Sequence, residues 1–374
     1  MMAPGSSPSI ENKPNDNNLA IAEVEEDEYN FVSALQIIES GSLSMVLKAI
    51  AELDVFGIMA KAGQDHQLSA KEIVNQLQPA VQNPNAASML DRMLRLLATY
   101  SVVSCSVGQD RTGWVERRYG LGSLSKLFVE DENAVSLGPL LSFVADSVMR
   151  APWSKLKDAL VEGGIPMSMV YGVRSFDYFA TDPRLNEVFN KGMFNYSTLA
   201  MRKMLENYKG FDDVKQLVDV GGGLGHALRS IMSKYPTIKG INLDLPHVVC
   251  NAQPYPGLEH VGGEMFDSIP SGDAIFMKGV LHDWDDDHCL TLLKNCYKAL
   301  PDYGKIIAMD VVLSEEPETS VFARAMSHMD VHMMIIGGKE RTEQELLTLA
   351  TTAGFTSTKL VCRVYHYWMM EFFK

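Results

Sequence analysis

KQLVDVGGGLGHALRSIMSKYP, residues 215–236, decides the fold. Leu217, Val218 and Val220 make a buried strand that runs into Gly221, Gly222, Gly223 and Gly225, and a helix follows. Glycine suits such a turn because the backbone must bend tightly and let a ligand come close. Downstream, IKGINLDLP (238–246), DAIFMKGVL (273–281) and GKIIAMDVVL (304–313) read as further strands, with DHCLTLLKNCYKAL (287–300) a helix between the last two. Strands alternating with helices predict a parallel, doubly wound sheet that takes ligands at the carboxyl ends of its strands. TKLVCRVYHYWMMEFF (358–373) closes the chain as two strand-like runs, a hairpin at the sheet edge.

The glycine turn narrows the ligand. Asp244 follows Gly225 by nineteen residues at the end of the next strand, where an acid commonly bonds a ribose hydroxyl. Turn and acid together indicate a nucleoside. The G-x-G-x-x-G pattern fails, since counting from Gly221 its last position is His226. Asp219, late in the first strand, would also sit badly beside a pyrophosphate. Both features turn the reading from a nicotinamide dinucleotide toward S-adenosylmethionine, whose sulfonium and ammonium attract an acid at short range.

Before the sheet the pattern is mainly helical, from about Tyr29 to Leu160. VLKAIAELDVFGIMAKAG (46–63) has apolar residues at helical spacing and stops at Gly63. In LSAKEI (68–73), Ser69 with Glu72 three residues on is a capping-box signature. SMLDRMLRLLATYSVV (88–103) is another apolar-striped helix, and CSVGQDRTGWVERRYGLG (105–122) reads as a hairpin. Helices with a short wing resemble a winged-helix module. A net charge of −14 and a pI near 5.1 make nucleic acid an improbable partner, so packing or dimerisation is the better role. No apolar run reaches the roughly 18 residues of a membrane span. The five cysteines, Cys105, Cys250, Cys289, Cys296 and Cys362, lack paired spacing, which suits a reducing cytoplasm. MMAPGSSPSIENKPNDNN, polar and rich in Pro, Ser and Asn, reads as a disordered tail.

LHDWDDDHC, residues 281–289, carries the densest chemistry. Four readings fit it: a divalent-metal site, a general base with orienting carboxylates, a thiol–imidazole pair, or a solvated loop at a helix start. A run of acids at a helix start points around the helix and converges poorly on one ion, which disfavours the metal. Asp285, Asp286 and Asp287 suit a helix N-terminus through the helix dipole.

The chain resembles the caffeic-acid branch of the plant small-molecule O-methyltransferases. LVDVGGGLG (217–225), YPTIKGINLDLPHVV (235–249), GLEHVGGEMF (257–266), LHDWDDDHCLTLLKNCYKALPDYGK (281–305) and GGKERTEQE (337–345) match it in order and at its spacing. MLDRMLRLLA (89–98) and ATDPRLNEVFNKGM (180–193) extend the match toward the N-terminus. The resemblance implies an α/β fold: a Rossmann-like S-adenosylmethionine-dependent methyltransferase domain over 166–374, behind a mainly helical, winged-helix-like N-terminal dimerisation domain over 29–165 and a disordered tail over 1–28. It implies a cytoplasmic homodimer with a small phenolic acceptor, no metal, and no nucleic-acid or membrane partner.

By the same resemblance, His282 is the catalytic base, bracketed by Asp310 and Glu340. Asp310 stands where Glu is usual and is one methylene shorter. Ser197, Gly221, Asp244, Leu245, Glu264, Met265 and Lys278 match residues that line S-adenosylmethionine, with S-adenosylhomocysteine as product; Phe266, next to Met265, and Trp284, near His282, are expected to line it too. Phe143, Val144, Met149, Leu185, Phe189, Met193, Tyr196, Asp283, Met329, His332 and Met333 would line the acceptor. Val144, Leu185, Tyr196 and His332 depart from the usual caffeate pocket, removing or moving polar groups that grip the ring and its tail. These losses point to a monolignol-type alcohol or a related neutral phenol rather than caffeate. A caffeate or 5-hydroxyferulate 3-O-methyltransferase and a flavonoid O-methyltransferase are the alternatives. A metal-dependent catechol methyltransferase is the rival from another class. His288 and Cys289, on the following helix, read as structural.

Overall fold

A computed structural model of the chain describes residues 16–110 and 112–374, packed as two compact units that divide between Ser123 and Leu124. Residues 1–15 of the expected tail lie outside the described residues. From Asp16 the chain is helical, so the expected tail is shorter than residues 1–28. Residues 124–165 pack with the second unit rather than with the helices before them. Phe143 and Met149, from this segment, join Phe179 and Leu185 in one buried cluster, and that burial fixes the segment's place.

The first unit holds α1 (Asp16–Ile38), α2 (Ser40–Glu52), α3 (Val55–Ala62), β1 (Leu68–Ser69), α4 (Ala70–Val74), α5 (Ala86–Thr99), β2 (Val103–Gln109) and β3 (Val115–Leu121). Residues 46–63 form the end of α2 and all of α3, because Asp54 takes the left-handed conformation at φ 52° and breaks the run. The Ser69–Glu72 capping box is present as read: Glu72 N–H donates to Ser69, and Ser69 N–H to the Glu72 carboxylate at 2.7 Å. The strands order as β1-β3-β2, all antiparallel. No single described helix is long and apolar enough to cross a membrane; α1 and α2 together are bent by 47°. Tyr29, Phe31, Val32, Leu35, Ile37 and Ile38 stand exposed along α1.

The second unit begins with α6 (Gly138–Val144), α7 (Ser147–Arg150), α8 (Leu156–Glu162), α9 (Pro166–Tyr171), α10 (Ser175–Thr181) and the long α11 (Pro183–Asn207). Asp182 caps α11 by accepting Leu185 N–H, with Pro183 preset at its first position. Then come β4 (Gln216–Val220), α12 (His226–Lys234), β5 (Lys239–Asp244), α13 (Pro246–Val249), β6 (Leu258–Gly262), β7 (Ala274–Lys278), α14 (Asp286–Ala299), β8 (Lys305–Asp310), β9 (Val312–Leu313), α15 (Val321–Ile336), β10 (Arg341–Thr342), α16 (Glu343–Ala353), β11 (Ser357–Val364) and β12 (Tyr367–Phe373).

Seven strands order as β11-β12-β8-β7-β4-β5-β6. The five from β8 to β6 are parallel, and the expected C-terminal hairpin adds antiparallel at the β8 edge. One face packs on Leu292, Leu293 and Cys296 of α14 and on Leu346, Leu349 and Ala350 of α16. The other packs on Met201 and Met204 of α11 and on Leu228 and Ile231 of α12. A sheet covered on both faces needs near-continuous apolar strands, which is why Ile306, Ile307 and Ala308 run without alternation. Strand order reverses at β4, between β5 and β7, so the glycine turn opens at the switch point where such sheets bind ligands.

Candidate active site

The glycine turn is built against side chains beneath it. A Cβ on Gly222 would meet the side-chain ends of Asn242 and Asp219, so any larger residue there would have to displace them. Gly221, Gly223 and Gly225 have φ of 68°, 58° and 80°. Asp244 ties the turn to β5: its Oδ2 accepts Gly223 N–H and its Oδ1 accepts Leu245 N–H, each at 2.7 Å. Every carboxylate oxygen keeps a further lone pair, so Asp244 can still take ribose hydroxyls.

A lipophilic shelf faces the end of β6. Phe266 meets Trp284 edge-on at 4.8 Å between centroids, and Trp284 stacks on His288 and on Phe176. Asn295 of α14 holds the carbonyls of Met265 and Phe266, and Glu264 accepts Phe266 N–H. A strand-end acid, a close-approach turn and an aromatic shelf are what a nucleoside requires. Beneath the turn, Asp219 Oδ2 and Asn242 Oδ1 are buried acceptors without a hydrogen-bond partner. Burial first, then the Asp244 charge, push Asp219 up to about 8.

The second centre gathers at the ends of β7 and β8. His282 lies on a 3-10 turn over Leu281–Asp283, and its Nδ1 donates to Glu340 Oε1 at 2.9 Å. Asp310 Oδ1 stands 3.9 Å from the same nitrogen, too far to bond it, and Asp310 Oδ2 accepts Leu281 N–H instead. The carboxylates converge because β9 and β10 pair in parallel, Arg341 opposite Val312, which brings Glu340, just before β10, close to the end of β8 at Asp310. Since a carboxylate accepts at Nδ1, the neutral imidazole keeps Nε2 as its open acceptor; Asp283 Oδ1 lies 3.6 Å from it. Burial opposes the imidazolium, but Asp283, Asp310 and Glu340 more than offset it and push His282 up to about 10. Burial pushes Asp310 up to about 7 and Asp283 up to about 6, so the cluster titrates as a unit.

Arg341, fully buried, was not legible as a functional residue. Its guanidinium donates to the carbonyls of Leu281 and Trp284 at 2.7 Å and to Asp286, clamping the whole 281–286 loop. Asp285 caps α14 by accepting His288 N–H, as an acid at a helix start should. Cys289 donates to the Leu281 carbonyl, and burial pushes its thiol up to about 12, far from a reactive thiolate.

The expected acceptor residues fall into three places. Phe143, Met149 and Leu185 are buried together, with Phe189 and Met193 packed on them. Val144, beside Phe143, is instead 40% exposed. On α15, Met333 is buried and His332 half-buried, its ring 6.2 Å from Trp153, a neighbour the sequence did not suggest. Met329 and Tyr196 pack against the α11–α12 face of the sheet. Ser197 follows Tyr196 on α11 and is half-buried.

Comparison with known proteins fixes the family. The O-methyltransferase domain model matches residues 153–356, and the O-methyltransferase dimerisation domain model matches residues 35–131. O-methyltransferase 11 of Lophophora williamsii is 55% identical over 351 residues, 93% of this chain and 91% of its own. A caffeic acid 3-O-methyltransferase of Medicago sativa is 50% identical, covering 93% and 95%. Human N-acetylserotonin methyltransferase, solved with S-adenosylmethionine, shares the fold at a TM-score of 0.76 and 21% identity, covering 93% and 97%. A turn and acid that fit a nucleoside, joined to these matches over nearly the whole chain, make it a member of the S-adenosylmethionine-dependent O-methyltransferase family.

Proposed function

We propose that the protein methylates a hydroxyl of a neutral phenylpropanoid-type acceptor, a monolignol-like alcohol or related phenol, with His282 as general base. S-adenosylmethionine supplies an electrophilic methyl group, so the chain has to make the acceptor oxygen nucleophilic and align it. The observation that carries the reading is the His282–Glu340 hydrogen bond. It orients the ring and leaves Nε2 open to take a proton. The three carboxylates push His282 up to about 10, so at neutral pH the base is the minor neutral form of the ring, and that form has a proton affinity close to that of a phenol titrating near 10.

Asp244, Gly221 and Leu245 hold the ribose end, and Glu264, Met265, Phe266 and Trp284 the adenine. Lys278 and Ser197 line the remainder, with Asp219 below the turn on the methionine side. Leu185, Phe189, Met193, Tyr196, Met329, His332 and Met333, with Phe143, Val144, Met149 and Asp283, form the acceptor side. Burial and the His282 charge lower the His332 imidazole, so it is neutral at pH 7 and suits a neutral acceptor. The exposed apolar stripe of α1 and the match to a dimerisation domain support a homodimer. Five free thiols suit a cytoplasmic setting.

A panel of caffeate, 5-hydroxyferulate, flavonoids and phenylpropanoid alcohols under identical conditions tests the acceptor. A neutral alcohol or phenol should give the highest kcat/KM; caffeate clearly leading would overturn the choice. His282, Asp310 and Glu340 also lie within 4.8 Å of one another, close enough to hold a cation. Against that use, Nδ1, the ring nitrogen facing both carboxylates, is occupied by its bond to Glu340.

A further inference from the structure

Lys278 ends β7 beside Met309 of β8, one residue from Asp310. Its ammonium lies 5.9 Å from the Tyr196 ring centroid and 5.5 Å from that of Tyr367. Among the described residues no carboxylate comes within ion-pair distance of it, although Asp219 of β4, Asp283 of the 3-10 turn and Asp310 of β8 all act on its charge. Two phenol faces therefore contact the ammonium where no carboxylate pairs with it, an arrangement worth most where water is excluded.

Those faces are held by a residue that sequence reasoning did not single out. The Tyr196 hydroxyl bonds His366 Nε2, and the two rings stack at an interplanar angle of 15°. His366 and Tyr365 form the tip of the β11–β12 hairpin, and Tyr367, the first residue of β12, is fully buried against His366 at 3.9 Å between centroids. Burial, together with the Lys278 and His282 charges, lowers His366 to about 4, so at neutral pH its nitrogen can accept from the phenol. The tip of the C-terminal hairpin thereby braces the aromatic pair against one half-buried cation.

We propose that Tyr196, Tyr367 and His366 are positioning residues that hold the Lys278 ammonium against the carboxylate cluster around His282. The charged and titratable groups acting on Lys278 are Asp310, Asp219 and Asp283, which oppose the lowering by burial, with His366 and the phenols of Tyr196 and Tyr367 beside it; Asp283 and Asp310 are shared with His282. A cation fixed there subtracts from the negative field on His282, favouring the neutral imidazole that a base needs. This rests on His282 being that base, and the experiment separates the two claims.

The variants are Lys278→Met, which removes the charge, and Tyr196→Phe and His366→Leu, which remove the hydrogen bond while Tyr196→Phe keeps the ring. Each is compared with the parent through the pH profile of kcat and through NMR titration of the His282 ring protons in the S-adenosylhomocysteine complex. With Lys278→Met, the acid limb and the His282 titration should both move up by about half to one pH unit. His366→Leu and Tyr196→Phe should move them the same way by less. An unmoved His282 titration in Lys278→Met overturns the proposal, as does a shift in that variant with none in the other two. A titration that moves while the kcat profile does not leaves the brace standing and removes His282 as the base.

Discussion

The two halves of the site are made in opposite ways. The cofactor end is local: Asp219, the four glycines and Asp244 lie within 26 residues, on two adjacent strands joined by one helix. The His282 end is distributed: His282, Asp310 and Glu340 span 59 residues, and Glu340 arrives only when β9 and β10 pair. A local site is legible from spacing, because the backbone alone sets its geometry. A distributed one depends on sheet register, which spacing does not encode.

The two ends respond differently to substitution. The largest effect is expected at the distributed centre, where His282→Gln should lower kcat by about 10²–10⁴-fold. S-adenosylhomocysteine affinity, measured by calorimetry, should be unchanged, and a joint loss of both would show that the halves are not separable. At the local end, Asp244→Ala removes the acceptor of two backbone N–H groups and the ribose partner together. It should weaken S-adenosylhomocysteine binding by about 10–100-fold, whereas an unchanged Kd would take Asp244 out of the nucleoside site.

A smaller effect is stability against pH. Asp219 holds its proton more tightly in the folded chain, up to about 8, than its ordinary value near 3.8 allows when unfolded. Its protonation therefore favours the folded state most below about pH 4, and that advantage is lost as pH rises through 8. Asp219→Asn escapes the loss, so its Tm relative to the parent should climb between pH 5 and pH 9, by about 2–4 °C per kcal/mol recovered. A gap independent of pH would mean that Asp219 keeps an ordinary acidity. The smallest effect is none: turnover should persist in a chelator, and abolition reversed by magnesium would make the cluster a metal centre.

Legibility followed the same division. The strand-to-glycine turn, the Ser69–Glu72 capping box and the edge hairpin could be read directly, since each is set by neighbours in sequence. His282, Asp310 and Glu340 were reachable only through family resemblance. The resemblance does not tell which carboxylate bonds the ring; the missing methylene of Asp310 decides that, leaving the contact to Glu340. Arg341 and His366 escaped altogether. One is a buried cation whose partners are mostly backbone carbonyls, the other a turn residue whose partner lies 170 positions away. The break at Asp54 was hidden for another reason, because apolar spacing continues through it while the backbone does not.

One contact bears on how this enzyme could acquire a new acceptor. Lys339 N–H donates to the His282 carbonyl at 2.8 Å, and a Cβ on Gly338 would fall 2.1 Å from that oxygen. Both residues directly follow α15, which carries Met329, His332 and Met333. A shift of that helix would pull on the His282 backbone. Exchanging side chains on α15 leaves this backbone link in place, whereas moving the helix would strain it.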